Sequence, residues 1–222
     1  MTRIGKKVAG FWQLAALLVT CLSALGATSC AGQSQLVSLK APDKAYQPDD
    51  YKSVLRLWTR ERRLNTLEEM DNVLTVTSTY YSAEFRAAYL AKYVSDYHLS
   101  AGQSKALVAE HAGLNADQHE FYVALFAQQH KYGLLDDPRS AFQVHLVDDQ
   151  GRAFKPMRVE HIKRPGALET TYFPYSTSFR SVFRVVFDKK SAALAPDAKW
   201  FGLRFSGPQG TTVLTWRLRE AT

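Results

Sequence analysis

Four arginines near the C-terminus alternate with apolar residues, which in a β-strand places their side chains opposite the apolar face. They are Arg184, Arg204, Arg217 and Arg219, in the segments SVFRVVF, WFGLRF and VLTWRLR. If these strands are neighbours, one sheet face carries a row of guanidinium groups, which bind phosphate and carboxylate groups. The row would suit an anionic polymer, a lipid or an acidic protein surface. A solvated outer face is the alternative, and the one we prefer.

The histidines show none of the spacings that bind metal ions. They are His98, His111, His119, His130, His145 and His161. His161 follows Glu160 in a predicted strand, where adjacent side chains point to opposite faces. The chain also lacks the nucleophile elbow, the phosphate-binding glycine-rich loop and the His-Glu-x-x-His motif. We therefore predict no metal, no cofactor and no catalytic residue, with an enzyme of unrecognised site as the alternative.

The two cysteines, Cys21 and Cys30, lie near the N-terminus. They follow a basic start with Arg3, Lys6 and Lys7 and an apolar run over residues 8–25. A basic segment, an apolar segment and small residues in that order are typical of a secretory signal peptide. A transmembrane anchor is the alternative, but Gly, Gln, Thr and Ser dilute the run and no basic cluster follows it.

The sequence Ala27-Thr28-Ser29-Cys30 resembles the lipobox of bacterial lipoproteins. The resemblance covers about the first 30 residues and implies cleavage before Cys30, with a diacylglycerol on its thiol and an acyl chain on its new amino group. Ala31 in place of Asp resembles the pattern of outer-membrane lipoproteins. The usual Leu is absent at Ala27.

Two other processing sites compete with Cys30. Leu18-Val19-Thr20-Cys21 has the Leu but an unfavourable Thr before its Cys. Ordinary cleavage after Ala31 would release a soluble periplasmic protein. Cleavage before Cys30 leaves one thiol, so an internal disulfide is impossible, and lipidation explains the unpaired cysteine.

The net charge is modest once the predicted signal peptide is removed. The chain has 28 Lys and Arg against 21 Asp and Glu, and losing the three basic residues of the signal leaves 25 against 21, or +4. The basic segment RLWTRERR is interrupted by Glu61, and an exported protein seldom meets nucleic acid. We predict a solvated edge around one packed Trp there, and no nucleic-acid partner.

The predicted helices lie in the first half of the chain. Tyr51, Val54, Leu55 and Trp58 follow helical spacing, in competition with a β-like alternation. Ser82 caps a predicted helix that runs to about His98, and a second one begins at the capping box of Ser100 and ends near Ala112, with Gly113 as its C-cap. The first carries an aromatic stripe of Phe85, Tyr89, Tyr93 and Tyr97, which we expect to pack against a sheet rather than to bind a ligand.

The remaining segments alternate like strands. NVLTVTSTY is the clearest, and six more follow His119, separated by turn sequences such as DDQG at residues 148–151 and SGPQG at residues 206–210. The pattern predicts a mainly β fold, an antiparallel immunoglobulin-like β-sandwich with an inserted or capping helical pair at about residues 82–113. The predicted organisation is a signal peptide (1–29), a lipidated Cys with a flexible tether (30–50) and one domain (51–222).

These features predict a non-enzymatic structural or interaction subunit of the bacterial cell envelope. The protein would be held in the outer membrane by its N-terminal lipid, with the domain in the periplasm and an envelope protein as its partner. The first alternative is an envelope binding module that takes an anionic polymer or lipid through the arginine face.

Overall fold

The structure, a computed structural model, describes residues 35–65 and 72–219. The predicted signal peptide and both cysteines lie outside the described residues. The described residues belong to one compact unit, which begins at Gln35.

Nine strands and four α-helices occur in the described part of the chain. The strands are β1 (Thr59–Asn65), β2 (Asn72–Tyr80), β3 (Gln118–Ala127), β4 (Gln143–Asp148), β5 (Ala153–Phe154), β6 (Arg158–His161), β7 (Ser181–Asp188), β8 (Trp200–Gly207) and β9 (Gly210–Arg217). The helices are α1 (Tyr51–Trp58), α2 (Ala83–Asp96), α3 (Ala101–Asp117) and α4 (Ala167–Tyr172), with 3₁₀ turns at Pro48–Asp50 and His130–Gly133.

The strands form two antiparallel sheets. The five-stranded sheet has the order β1-β2-β3-β7-β6, and the four-stranded sheet has the order β5-β4-β8-β9. Seven strands match the predicted segments, while β1 and the short β5 are additional. The predicted turns close the β4–β5 and β8–β9 hairpins, where Gly151 and Gly210 have positive φ values of 77° and 128°. The mainly β, antiparallel prediction is confirmed.

Aromatic side chains from the two sheets meet between them. Tyr80 of the five-stranded sheet lies 5.0 Å from Phe201 of the four-stranded sheet, measured between ring centroids. Phe121 lies 5.5 Å from Trp216, and the Phe201 and Trp216 rings stack at 5.4 Å. None of these side chains is more than 2% exposed. Because burying a large aromatic side chain contributes about 2–3 kcal/mol, this sandwich-like contact is a principal source of stability.

The outer face of the five-stranded sheet is also covered. The threonines of β2, expected on a polar face, are buried, with Thr79 fully inaccessible and hydrogen-bonded to the Tyr175 hydroxyl at 2.6 Å. Phe173 stacks on Tyr122 of β3 at 3.9 Å. The central strands β2, β3 and β7 are therefore buried on both faces, which a simple alternation of polar and apolar residues does not reveal.

The helix α2 follows its predicted start. Ser82 Oγ accepts a hydrogen bond from the Phe85 amide at 2.9 Å, and Glu84 lies in the first turn. The aromatic stripe packs inward at its beginning, where Phe85 is fully buried, and emerges at its end, where Tyr97 is 50% exposed. Core packing is thus confirmed for the first part of the stripe only.

The helix α3 is longer than predicted. Its capping box at Ser100 is present, but the helix continues through Gly113 to Asp117. The predicted C-cap at Gly113 is wrong, because β3 begins immediately after Asp117 and no left-handed residue is needed to turn the chain. The Gln118 amide, donating to the Leu114 carbonyl, completes the last turn.

The segment before α1 packs against the domain. Val37 is 1% exposed, its amide donates to the Arg217 carbonyl at 2.9 Å, and its carbonyl accepts from the Arg219 amide at 2.8 Å. Tyr46 is also buried, and its hydroxyl donates to Glu84 Oε1 at 2.6 Å. Val37 and Tyr46 are therefore attached to the domain, the first by a β-bridge to Leu218 and the second by side-chain burial, within the stretch for which the sequence predicts a flexible tether.

None of the helices in the described residues has the length and apolar character needed to cross a membrane.

Candidate functional site

The predicted row of arginines is divided between the two sheets. Arg184 lies on β7 in the five-stranded sheet, whereas Arg204 and Arg217 lie on β8 and β9 in the four-stranded sheet. The four arginines therefore do not share one face. The sheet that a strand joins depends on long-range pairing, which its own alternation does not encode.

The arginines of the four-stranded sheet are also spaced apart. Arg204 lies opposite Val213, and Arg217 lies opposite Trp200, so the two arginines share a face but are separated by about 13 Å along the strands. Arg217 and Arg219 are exposed near the end of β9.

Arg184 is paired beneath the helices. Its Nε lies 3.1 Å from Glu120 Oε1, and the other oxygen of Glu120 accepts a hydrogen bond from Arg86 Nη2 at 2.6 Å. Burial disfavours the charge of Arg184, but Glu120 and nearby acidic groups outweigh it and raise the pKa of the guanidinium. Arg184 thus balances a buried carboxylate, although its own side chain is 42% exposed.

A different cationic surface lies beyond the end of β6. A groove of about 490 Å³ separates the chain that leaves β6 from the loop that enters β7. We call it the cationic groove; its basic and aromatic lining residues are His161, Lys163, Arg164, Phe179 and Arg180. Its volume falls in the range of small-ligand sites, about 300–1,000 Å³.

Local sequence fixes the first wall of the cationic groove. Pro165 and Gly166 end the extended chain after β6, and the Gly166 amide donates to Glu169 Oε2 at 2.8 Å at the start of α4. The residue after α4, Phe173, is held by its stack on Tyr122. The wall is therefore anchored to the five-stranded sheet.

Two turns shape the second wall. The Ser176 amide donates to the Phe173 carbonyl at 2.8 Å, and the Arg180 amide donates to the Thr177 carbonyl at 3.1 Å. These turns leave Phe179 83% exposed, the most exposed large apolar side chain in the described residues. A fixed loop thus presents an aromatic ring to solvent.

The charge of the cationic groove is one-sided. No Asp or Glu lines it. Lys163 and Arg164 are exposed and form no ion pair within residues 35–65 and 72–219. Arg180 is held at the base by a hydrogen bond from Nη1 to Thr77 Oγ1 at 2.5 Å, with Glu61 Oε2 3.7 Å from its Nη2. Two unpaired cations and one oriented cation therefore favour an anionic ligand.

A shallower depression adjoins the cationic groove. It is lined by Asp136, Asp137 and Arg139 and shares His161 and Lys163 with the groove. The ring of His161 stacks on Phe183 at 4.7 Å, and its Nδ1 lies 3.7 Å from Asp136 Oδ2. Mixed charge distinguishes this depression from the groove.

Glu160 does not converge with His161. Its Oε2 lies 3.5 Å from Arg158 Nη1, two residues earlier on the same strand. This is the separation that the strand alternation predicts.

One hydroxyl group that lines the cationic groove is hydrogen-bonded to the five-stranded sheet. Ser176 Oγ donates to the Tyr122 hydroxyl at 3.0 Å. Within the described residues, no histidine or carboxylate hydrogen-bonds to a hydroxyl that lines the groove, as activating a nucleophile would require. No group of three His, Cys, Asp or Glu side chains is placed to hold a metal ion in that part of the chain.

The cationic groove and the N-terminal segment lie beside opposite edges of the five-stranded sheet. Val37 pairs beside the end of β9, and Arg60 of the edge strand β1 reaches the same region through its Nε, which donates to the Thr215 carbonyl at 3.1 Å. The groove lies beside the other edge strand, β6, and the start of β7. His161 and Arg60 share one cross-strand row, so the β6 wall of the groove and β1 are separated across the sheet by four strand spacings, about 19 Å.

Sequence reasoning missed the cationic groove. KRPG at residues 163–166 and STSFR at residues 176–180 have the composition of ordinary turns. The only local signal is a Phe in a Ser- and Thr-rich loop next to a basic residue. Joining the two loops requires the β6–β7 pairing, in which His161 lies opposite Phe183.

The comparisons with known proteins add no family to these observations. No protein-family model matches the chain. No curated protein matches it either.

Proposed function

We propose that this chain is an exported bacterial lipoprotein, anchored through Cys30, whose domain is a non-enzymatic interaction subunit of the cell envelope. The lipobox-like sequence supports anchoring to the outer membrane, with the domain in the periplasm; release as a soluble periplasmic protein is the alternative. The interaction role is supported by a cationic groove that carries an exposed aromatic ring and no evident catalytic pair.

One observation carries this proposal. The segment that leads to Cys30 joins the domain beside β9, whereas the cationic groove lies beside β6, the edge strand farthest from β1 in the five-stranded sheet. Anchoring beside β9 would leave the groove free to contact a second component of the envelope.

The arginine-face version of the binding hypothesis has lost its support. Arg184 is paired with Glu120, and the other arginines belong to a different sheet. The cationic groove takes their place as the surface for an anionic partner. We therefore keep the hypothesis of an anionic partner, with the residues of the cationic groove in place of the arginine face.

We also propose that the fold is immunoglobulin-like. The strand orders β2-β3-β7-β6 and β5-β4-β8-β9 correspond to the orders A-B-E-D and C′-C-F-G of that fold. In this correspondence β1 is an added edge strand, and the helices α2 and α3 are inserted between strands A and B. In antibody domains a disulfide joins strands B and F. Both cysteines of this chain precede the first strand, and the corresponding strands β3 and β8 instead carry Phe121 and Phe201, whose ring centroids are 6.5 Å apart.

The anchor is tested by replacing each cysteine separately. We expect Cys30→Ser, expressed in a Gram-negative host with labelled fatty acid, to lose the label and leave the membrane fraction, because the thiol that accepts the diacylglycerol is gone. Cys21→Ser is the matched control and should be labelled and retained like the wild type. Mass spectrometry of the mature N-terminus locates the cleavage site.

Three outcomes would contradict the anchor. Retention of Cys30→Ser in the membrane with an uncut signal would indicate a transmembrane segment. Loss of label in Cys21→Ser alone would move processing to the upstream cysteine. A wild-type protein that is soluble and begins at Gly32 would indicate ordinary secretion.

A further inference from the structure

We propose that the cationic groove binds an anionic carbohydrate, a sugar chain that bears carboxylate or phosphate groups. The inference deepens the proposed interaction role and rests on it for its biological setting. It depends on Lys163, Arg164, Phe179 and Arg180, which no sequence motif brought together.

The first step is charge. Lys163 and Arg164 extend from one wall and Arg180 from the other, and no acidic side chain lines the space between them. The hydrogen bond that Arg180 donates to Thr77 and the nearby Glu61 carboxylate fix its guanidinium. An anionic group placed between the walls would meet two exposed cations, Lys163 and Arg164, and the oriented guanidinium of Arg180, which needs little ordering on binding.

The second step is the hydroxyl lining. Thr177, Ser178 and Ser181 line the groove, the first two of them exposed. Hydroxyl groups both donate and accept hydrogen bonds, which matches the mixed donor and acceptor surface of a sugar. A purely ionic site for a small anion would not need them.

The third step is Phe179. Exposing a phenyl ring to water forgoes the free energy of its burial, about 2–3 kcal/mol. The turns around it hold it outward, although buried Phe173 and Val182 flank the same loop. The flat face of a fixed aromatic ring can pack against the C–H face of a sugar ring, while the neighbouring cations bind the acidic substituent.

The fourth step excludes larger ligands. Binding a single-stranded nucleic acid requires a basic groove long enough for several nucleotides and several aromatic rings that stack on the bases. The cationic groove has one exposed aromatic ring, Phe179. An extended peptide would be expected to pair with a free strand edge, but β6 offers only four residues. A short anionic sugar segment fits the volume and the lining best.

The test uses full-length protein purified in detergent and isothermal titration calorimetry. The probes are tetragalacturonic acid, a hexose 6-phosphate, neutral maltotetraose and hexaglutamate. We expect saturable binding of one or both acidic sugars, weakened by salt, and no binding of maltotetraose. The carboxylate and phosphate probes distinguish the two sources of negative charge.

Variants locate the site. Phe179→Ala and the double variant Lys163→Gln/Arg164→Gln should each weaken acidic-sugar binding about tenfold or more, equivalent to about 1.4 kcal/mol. The matched controls are Met157→Ala, which removes another exposed apolar side chain, and Lys52→Gln/Arg56→Gln, which removes two exposed cations from α1; neither should change binding. The altered side chains are exposed, and thermal unfolding verifies that each variant is folded.

The proposal is overturned if neither acidic sugar binds, if maltotetraose binds equally well, or if folded Phe179→Ala retains full affinity. It is also overturned if hexaglutamate binds more tightly than both sugars, which would indicate an acidic peptide partner. Because binding is measured in detergent, its failure is independent of the anchor. A Cys30→Ser protein that is not lipidated but binds the sugar would leave this inference intact.

Discussion

At the scale of single residues, His119 is the buried histidine with the best-defined surroundings. It is 4% exposed, and its Nδ1 lies 2.9 Å from the hydroxyl of Tyr80. Burial, and then the positive charge of Lys189, lowers the pKa of the imidazole to about 4. His119 is therefore neutral in the folded protein over a pH range in which the unfolded chain takes up a proton.

This difference predicts that the folded state loses stability in acid. The unfolded-state pKa is the ordinary value of 6.5, so the stabilising effect is complete above pH 6.5 and is lost as the pH falls toward 4. The full loss is at most about 3 kcal/mol. Urea unfolding at pH 7 and pH 4.5 should show a smaller fall in the free energy of unfolding for His119→Gln, which cannot take up this proton, than for the wild type.

The control for this prediction is His98→Asn. His98 is exposed and has a positive φ of 49°, a conformation that Asn tolerates, so its variant should keep the wild-type pH dependence. An unchanged pH dependence in His119→Gln would show that other groups are responsible.

At the scale of elements, polar contacts attach the helical pair to the sheet. Arg86 of α2, 3% exposed, shares Glu120 of β3 with Arg184 of β7. On its other side, Arg86 Nη1 lies 3.3 Å from Nδ1 of His111 on α3, and the His111 ring stacks on Tyr89. Burial and the charge of Arg86 lower the pKa of His111, which favours its neutral form. The position of the two helices thus depends on a buried charge cluster.

Removing the carboxylate of this cluster should be costly. In Glu120→Ala the guanidinium of Arg86 stays buried without its partner, which typically destabilises a protein by about 3–5 kcal/mol. We expect that loss in the free energy of unfolding, measured by chemical denaturation. The double variant Arg86→Met/Glu120→Leu should be much less destabilised, because neither charge is left buried alone.

Two comparisons decide the outcome of that experiment. Glu160→Ala is the matched control, because Glu160 is exposed on β6 and its ion pair with Arg158 is at the surface; it should cost less than about 1 kcal/mol. If Glu120→Ala is as stable as Glu160→Ala, or if the double variant is no better than the single one, the cluster does not hold the helices in this way.

At the scale of the whole molecule, the packed N-terminal segment limits how far the domain can lie from the bilayer. If Cys30 carries the lipid, six residues lie between it and Val37, and the seven Cα–Cα steps reach at most about 25 Å. The side of the domain that holds Val37 would then lie near the membrane, with the cationic groove beside β6 farther from it.

This orientation is measurable with a fluorophore on a single introduced cysteine, since a lipidated Cys30 leaves no free thiol in the mature chain. A label at Lys199→Cys, beside the start of β8, should transfer energy to a dye in the bilayer more efficiently than a label at Ser178→Cys in the groove. Inserting about 20 flexible residues after residue 33 should remove the difference, because the linker then reaches both sites. Equal transfer in the uninserted protein would contradict the orientation.

The sequence by itself determined the features that depend on neighbouring residues. The serine caps of α2 and α3, the two glycine-containing hairpins and seven of the strands follow from side chains a few positions apart. The length of α3 was misjudged at Gly113, because glycine is compatible with a helix interior and marks an end only where the chain must turn.

Only the tertiary structure decided what depends on distant pairing. It assigned Arg184 and Arg204 to different sheets, buried Val37 beside Leu218, and brought the KRPG turn next to the loop of Phe179. Alternation along one strand specifies two faces but not the neighbouring strand, so it cannot show which surface residues become adjacent. The candidate site was missed for this physical reason: its two walls are joined by strand pairing.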